Sequence, residues 1–191
     1  MKSILIGLLL IPLSFVTTAA NWNVVNDRSN VNFISIKKAD IAEVHHFKQL
    51  AGTLTEAGDF ELTVSLASVD TKVPIRDQRM GSLLFEVDKY PHLTLSAKVD
   101  TDLLSQISIG DSVEAAIEGT VDLHGKKVKI PFIVSIAKLS ESKLIVASVM
   151  PVIVNSDSFE LTQGIDKLRE VAGLSAISKA VPVSFILYLK K

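Results

Sequence analysis

The sequence predicts an all-β protein in which eight antiparallel strands close into a barrel. A helical insert separates the third and fourth strands, and a late helix precedes the last strand. Three observations carry this. Apolar and polar residues alternate with period two in segment after segment, clearest in Phe60, Leu62, Val64 and Leu66 against Glu61, Thr63 and Ser65. The alternation breaks at length only in Asp70–Pro91 and takes a helical period only in Gln163–Ala172. No repeat or linker divides the strands, and closing a barrel removes exposed edges. A two-sheet sandwich is the alternative this pattern leaves open.

The first strand region runs from Trp22 to Lys38, as a strand pair or one long strand bent at Asn26–Asn30, with Val31 and Phe33 on one face. Asp40–Gln49 reads as irregular. Leu50–Glu56 is the second strand, closed by a turn at Ala57-Gly58-Asp59. The third is the clean strand above. After the insert, Leu93, Leu95, Ala97 and Val99 face inward from the fourth. Asp100–Gly110 is a connection. Val113, Ala115, Ile117, Gly119, Val121 and Leu123 line the fifth strand. His124-Gly125-Lys126 makes a tight turn. Val128, Ile130, Phe132, Val134 and Ile136 return as the sixth, with Pro131 suggesting an edge position or a bulge. Leu144–Asn155 is apolar on both faces, so one face needs cover. The helix at Gln163–Ala172, ended by Gly173, is the expected cover. Val181, Val183, Phe185, Leu187 and Leu189 form the last strand.

Met1–Ala20 reads as an export signal: Lys2, an apolar run over Ile4–Val16, then small residues at Thr18-Ala19-Ala20. The run is short for a membrane span. A mature chain starting near Asn21 has about 170 residues, which suits one domain. That part holds 19 basic and 21 acidic residues with no basic block, which argues against nucleic acid as a partner. The absence of Cys excludes disulfides, a thiolate metal site and the lipid anchor of exported bacterial proteins.

Catalytic and metal chemistry find little support. The histidines are His45, His46, His92 and His124. Adjacent His45 and His46 point to opposite faces of an extended chain, and no short spacing supplies three converging ligands. There is no Gly-x-Ser-x-Gly elbow and no phosphate-binding Gly-rich loop. Asp70, Arg76 and Asp77 could form an acid–base cluster. The favoured reading is a salt bridge from Arg76 to Asp77 or Asp70 that pins the loop.

The insert, VDTKVPIRDQRMGSLLFEVDKYP from Val69, resembles the signature of the YceI-like family of exported polyisoprenoid-binding proteins. The matching residues are Asp70-Thr71, Arg76-Asp77, Phe85 and Tyr90-Pro91. A second match is the hairpin Glu118–Gly125 with Lys126–Val134, and the opening Trp22–Phe33 and closing Val181–Leu189 also fit. The chain departs from the family pattern at Arg79-Met80, at Leu84-Phe85 where a doubled aromatic is common, and at Asn155–Glu160, which lacks an Arg and a Gly.

The resemblance implies a periplasmic, lipocalin-like barrel that sequesters or carries an isoprenoid lipid, polyprenyl or quinone-like. The residue pattern favours a binding protein over an enzyme, and the resemblance points to a membrane b-type cytochrome as a quinone-linked partner. The apolar positions expected to meet such a tail are Phe33, Phe60, Leu62, Val64, Met80, Leu84, Phe85, Leu95, Ile117, Gly119, Phe132, Val134 and Phe185. Arg76 and Arg79 are candidates for a headgroup. Monomer and homodimer both stay open. The alternatives are an enzyme acting on a hydrophobic substrate in the same cavity, and a structural or stress protein whose barrel is filled by its own side chains.

Overall fold

A computed structural model describes residues 21–191; the expected export signal lies outside them. In chain order the strands begin with β1 (Trp22–Val24), β2 (Asn30–Lys37), β3 (Ile41–Phe47), β4 (Leu50–Leu54), β5 (Asp59–Ser65) and β6 (Val69–Asp70). The insert folds as α1 (Pro74–Arg79) running into a π-helix (Met80–Phe85). Then follow β7 (His92–Lys98), α2 (Thr101–Gln106), β8 (Ser112–Leu123), β9 (Lys126–Ser140), β10 (Lys143–Ser148) and β11 (Val152–Asn155). α3 (Thr162–Val171) and β12 (Ala180–Lys190) end the chain.

Eight antiparallel strands close on themselves. The path runs β1, β4, β5, β7, β8, β9, β10, β12, and β12 returns to β1 through Asn23↔Lys190 and Val24↔Leu189. β1 reaches the other neighbour through Trp22↔Leu54. This closure decides for the barrel over the sandwich. Toward the opposite end the wall changes partners. The first half of β12 pairs with β2 on one side and β11 on the other, and β3 and β6 extend the sheet beyond β2. A 3-10 turn at Asn26–Arg28 separates β1 from β2, which makes Trp22–Lys37 the bent strand that the sequence suggested.

Three elements differ from the sequence reading. Ile41–Phe47 is a strand, not irregular chain, and runs antiparallel to β2 from Lys37↔Ile41 to Asn32↔His46. Its alternation was hidden because a histidine, His45, holds an inward position while Val44 is exposed. Leu144–Asn155 is two strands, broken at Val149–Met150–Pro151, where proline offers no N–H to a ladder. α3 does not cover the outer face of these strands; it lies against the π-helix. The outer face keeps Val149, Met150 and Ile153 exposed. The Asp100–Gly110 connection contains α2, whose Asp100 carboxylate accepts from the Asp102 amide at 2.9 Å.

Local chemistry explains two other points. Pro131 lies opposite Glu118 of β8, and β10 pairs with β9 only from Val134 onward, so Pro131 sits where β9 has one strand neighbour. His124 and Gly125 both have positive φ, 55° and 75°, which is the twist a two-residue hairpin needs.

Candidate functional site

The inner faces of the strands carry a buried apolar core through which a narrow bore remains. Two chambers lie along it. The larger, about 160 Å³, is at the end carrying the π-helix and α3; its wall includes Phe33, Phe47, Val64, Val121, Val152 and Val183. The smaller, about 60 Å³, is at the β1 end among Leu54, Phe60, Ile117, Val134, Leu144 and Leu189. Among the described residues, Ser156 is the single polar one on either wall, and its hydroxyl is engaged by Thr162 Oγ1 at 3.0 Å. Inward residues such as Phe60, Leu93, Ile117 and Phe185 are only half-buried, although they point away from bulk solvent. The surface they retain faces the bore.

The cap over the large chamber is built by the insert. Met80, Leu84 and Phe85 of the π-helix border the chamber, as do Leu161 and Ile165 from the start of α3. The two helical pieces meet at Gly164. A side chain there would press on the Leu83 carbonyl oxygen and the Leu84 Cα, both at 2.8 Å. Glycine thus sets the distance between them. Leu83 turns its carbonyl to this contact and lines neither chamber.

Polar contacts tie the insert to the wall at both ends. Asp77 accepts from the Thr71 amide at 2.9 Å and from its hydroxyl. Arg76 donates to the Thr71 carbonyl at 2.6 Å and pairs with Glu43 of β3 at 2.7 Å. The expected bridge from Arg76 to Asp77 or Asp70 is therefore not formed. Asp77 spends its carboxylate on Thr71, and Asp70 accepts from the Lys72 amide at 2.8 Å. Glu43 also accepts from Lys37 at 2.9 Å, and that bond, with Arg76, holds its carboxyl below the usual range. His45 stands beside this group, buried, its ring 5.1 Å from Phe33 and its Nε2 2.8 Å from Ser35 Oγ. Burial, and then the Arg76 charge, push its pKa down.

At the other end of the insert, Tyr90 packs on His124 with centroids 4.4 Å apart, and Glu86 meets His124 Nε2 at 2.8 Å. Lys126 pairs with Glu160, just before α3, at 2.6 Å. The hairpin turn is thus the junction of wall, insert and α3. The two stretches that gave the sequence its family likeness touch each other here.

Of the thirteen apolar positions read from the sequence as candidate contacts, twelve lie on a chamber wall. Gly119 does not; it is buried behind the wall. Neither Arg76 nor Arg79 borders a chamber. Arg79 is half-buried, with one bond of 3.4 Å to the Val171 carbonyl. Sequence reasoning missed Val152, Val154 and Leu161. The signal for the first two was the double apolar face of Leu144–Asn155, whose inward face could not be chosen from pattern alone. Among the described residues no three His, Asp or Glu converge on a metal position, and no helix is long and apolar enough to cross a membrane.

Comparison with known proteins agrees with this architecture. A polyisoprenoid-binding domain from Saccharophagus degradans, implicated in plant cell wall breakdown, superposes with a TM-score of 0.87 at 31% identity, over 91% of this chain and 99% of that one. BcnA of Burkholderia cenocepacia shares the fold with a TM-score of 0.68 at 16% identity, over 86% and 98% of the two chains. The YCEI protein of Campylobacter jejuni does so at 0.58 and 17%, over 82% and 90%. No curated protein matches the sequence. The model of the YceI-like domain matches residues 22–189, nearly the whole described chain, and the protein belongs to that family.

Proposed function

We propose that the chain is a binding protein that takes up an isoprenoid lipid, polyprenyl or quinone-like, with the tail in the bore. The observation that carries this is the wall: two apolar chambers in line, with one engaged hydroxyl as their only polar side chain. Each methylene moved from water into such a space gains about 0.8 kcal/mol, so a long hydrocarbon tail is the ligand it rewards. The 31% identity to a domain described as polyisoprenoid binding supports the same reading. Binding is favoured over catalysis because, among the described residues, the one hydroxyl on the wall, that of Ser156, is engaged by Thr162, and no acid or base lines either chamber.

The headgroup stays at the capped end, outside the apolar wall. Arg79 is the better placed of the two arginines to meet it, since Arg76 is committed to Glu43 and Thr71. Export through residues 1–20 and a carrier role in the periplasm complete the proposal. Native mass spectrometry of protein gently extracted from its own host tests it. The expected result is a chain starting near Asn21 with a co-purified polyprenyl or quinone mass. Protein that emerges empty, and that takes up neither class when offered, sinks the lipid reading.

A further inference from the structure

The bore is pinched between its chambers, and we propose that this waist selects ligands by tail length, with Gly119 setting its width. The proposal rests on reading the bore as an isoprenoid site. Four residues border both chambers: Leu62, Leu95, Phe132 and Phe185. They come from β5, β7, β9 and β12, so the constriction draws on much of the circumference. Leu62 and Leu95 are paired across neighbouring strands. Phe132 and Phe185 stand edge to face, with centroids 6.1 Å apart.

Gly119 lies on β8 between two of these strands, opposite Ala97 of β7 and Ile130 of β9. A Cβ built there would be 2.6 Å from Leu95 Cδ1 and 2.9 Å from Phe132 Cε2. Both are shorter than real side-chain contacts, and both neighbours are waist residues. The missing side chain is therefore a recess in the wall into which Leu95 and Phe132 lean. Any side chain at this position displaces them, and the bore is the open space that can receive them.

The consequence is a length filter. A short tail ends in the larger, capped chamber and never meets the waist. A longer tail must thread between Phe132 and Phe185 to bury its end among Leu54, Leu144 and Leu189. Each isoprene unit that passes adds buried carbon and therefore affinity. The width set at Gly119 thus decides whether added length is rewarded. A glycine needed only for wall packing would change stability alone and leave the ratio of long-chain to short-chain binding unmoved.

The test measures delipidated protein against farnesol and solanesol by native mass spectrometry titration. The unaltered chain is expected to favour solanesol. Gly119→Ala should cut solanesol affinity by at least about tenfold while farnesol affinity stays within about twofold, because only the tail beyond the waist is excluded. Adding Leu95→Ala should restore solanesol. If Gly119→Ala does not fold, Phe132→Leu alone should raise the solanesol-to-farnesol ratio. Ratios that do not change in any of these variants overturn the waist while leaving the lipid site standing. Failure of the unaltered chain to bind either alcohol overturns both.

Discussion

At the β1 end, backbone hydrogen bonds run unbroken from strand to strand around the ring; at the α3 end they do not. There β11 and β9 are unpaired with each other, β2 and β3 reach beyond the ring, and helical segments cover what the strands leave open. The two ends therefore depend on different forces. The first is held by ladder bonds and by Leu54, Leu144, Leu187 and Leu189, each nearly inaccessible. The second is held by side chains: the Gly164 contact, the Thr71–Asp77–Arg76–Glu43 group and the His124 junction. The smaller chamber lies at the ladder-closed end and the larger under the cap. A ring of backbone bonds fixes the diameter, whereas a cap made of side chains can enclose a wider space and yield to admit a ligand.

Matched truncations should expose the difference most strongly. Leu189→Ala at the closed end removes an almost fully buried side chain beside the smaller chamber and should cost about 3 kcal/mol of unfolding free energy. Leu84→Ala under the cap enlarges a space that already exists and should cost about 1 kcal/mol. Urea denaturation of both variants checks this, and equal losses would mean that the two ends are packed alike. A smaller and more local effect is expected from Gly164→Val. Its methyls would push on backbone atoms of Leu83 and Leu84, an overpacking that costs about 2 kcal/mol. Hydrogen exchange should then quicken in the π-helix and α3 while β8 and β9 keep their protection. Uniform quickening across the walls would show that the cap is not a separate unit.

The same contrast explains what could be read from the sequence. The walls repeat one rule, inward apolar and outward polar, so β5, β7, β8, β9 and the second half of β12 were legible residue by residue, and eight of the twelve wall positions followed from them. β3 escaped because His45 occupies an inward position and Val44 an outward one, which inverts the rule. The cap follows no period. Its fit depends on a glycine distance and on pairs distant in sequence, Arg76 with Glu43 and His124 with Glu86. Residues so far apart carry no mutual signal in a single chain, so Arg76 was assigned its nearest acids instead. Gly119, an expected tail contact, leaves a space where its side chain is missing. It is space for Leu95 and Phe132, because an absent side chain is claimed by whichever neighbour reaches it first.

The smallest expected effect is a pH slope that belongs to the capped end alone. His45 is buried beside Arg76 and Lys37, with Glu43 and Asp77 as the facing acids, and burial lowers its pKa below the usual 6.5. In the unfolded chain His45 takes up a proton near 6.5; in the folded chain it resists until the pH is lower. Between those values the unfolded state binds more protons, so stability rises with pH there. The contribution is complete above 6.5 and is lost as pH falls through the depressed value. His45→Gln keeps a hydrogen-bonding partner for Ser35 and does not titrate. Its unfolding free energy should stay flatter than that of the unaltered chain as pH drops from 7 toward 5, above the range where Glu43, whose pKa is also lowered, begins to contribute. Parallel slopes for the two proteins would place the acid sensitivity elsewhere than at this histidine.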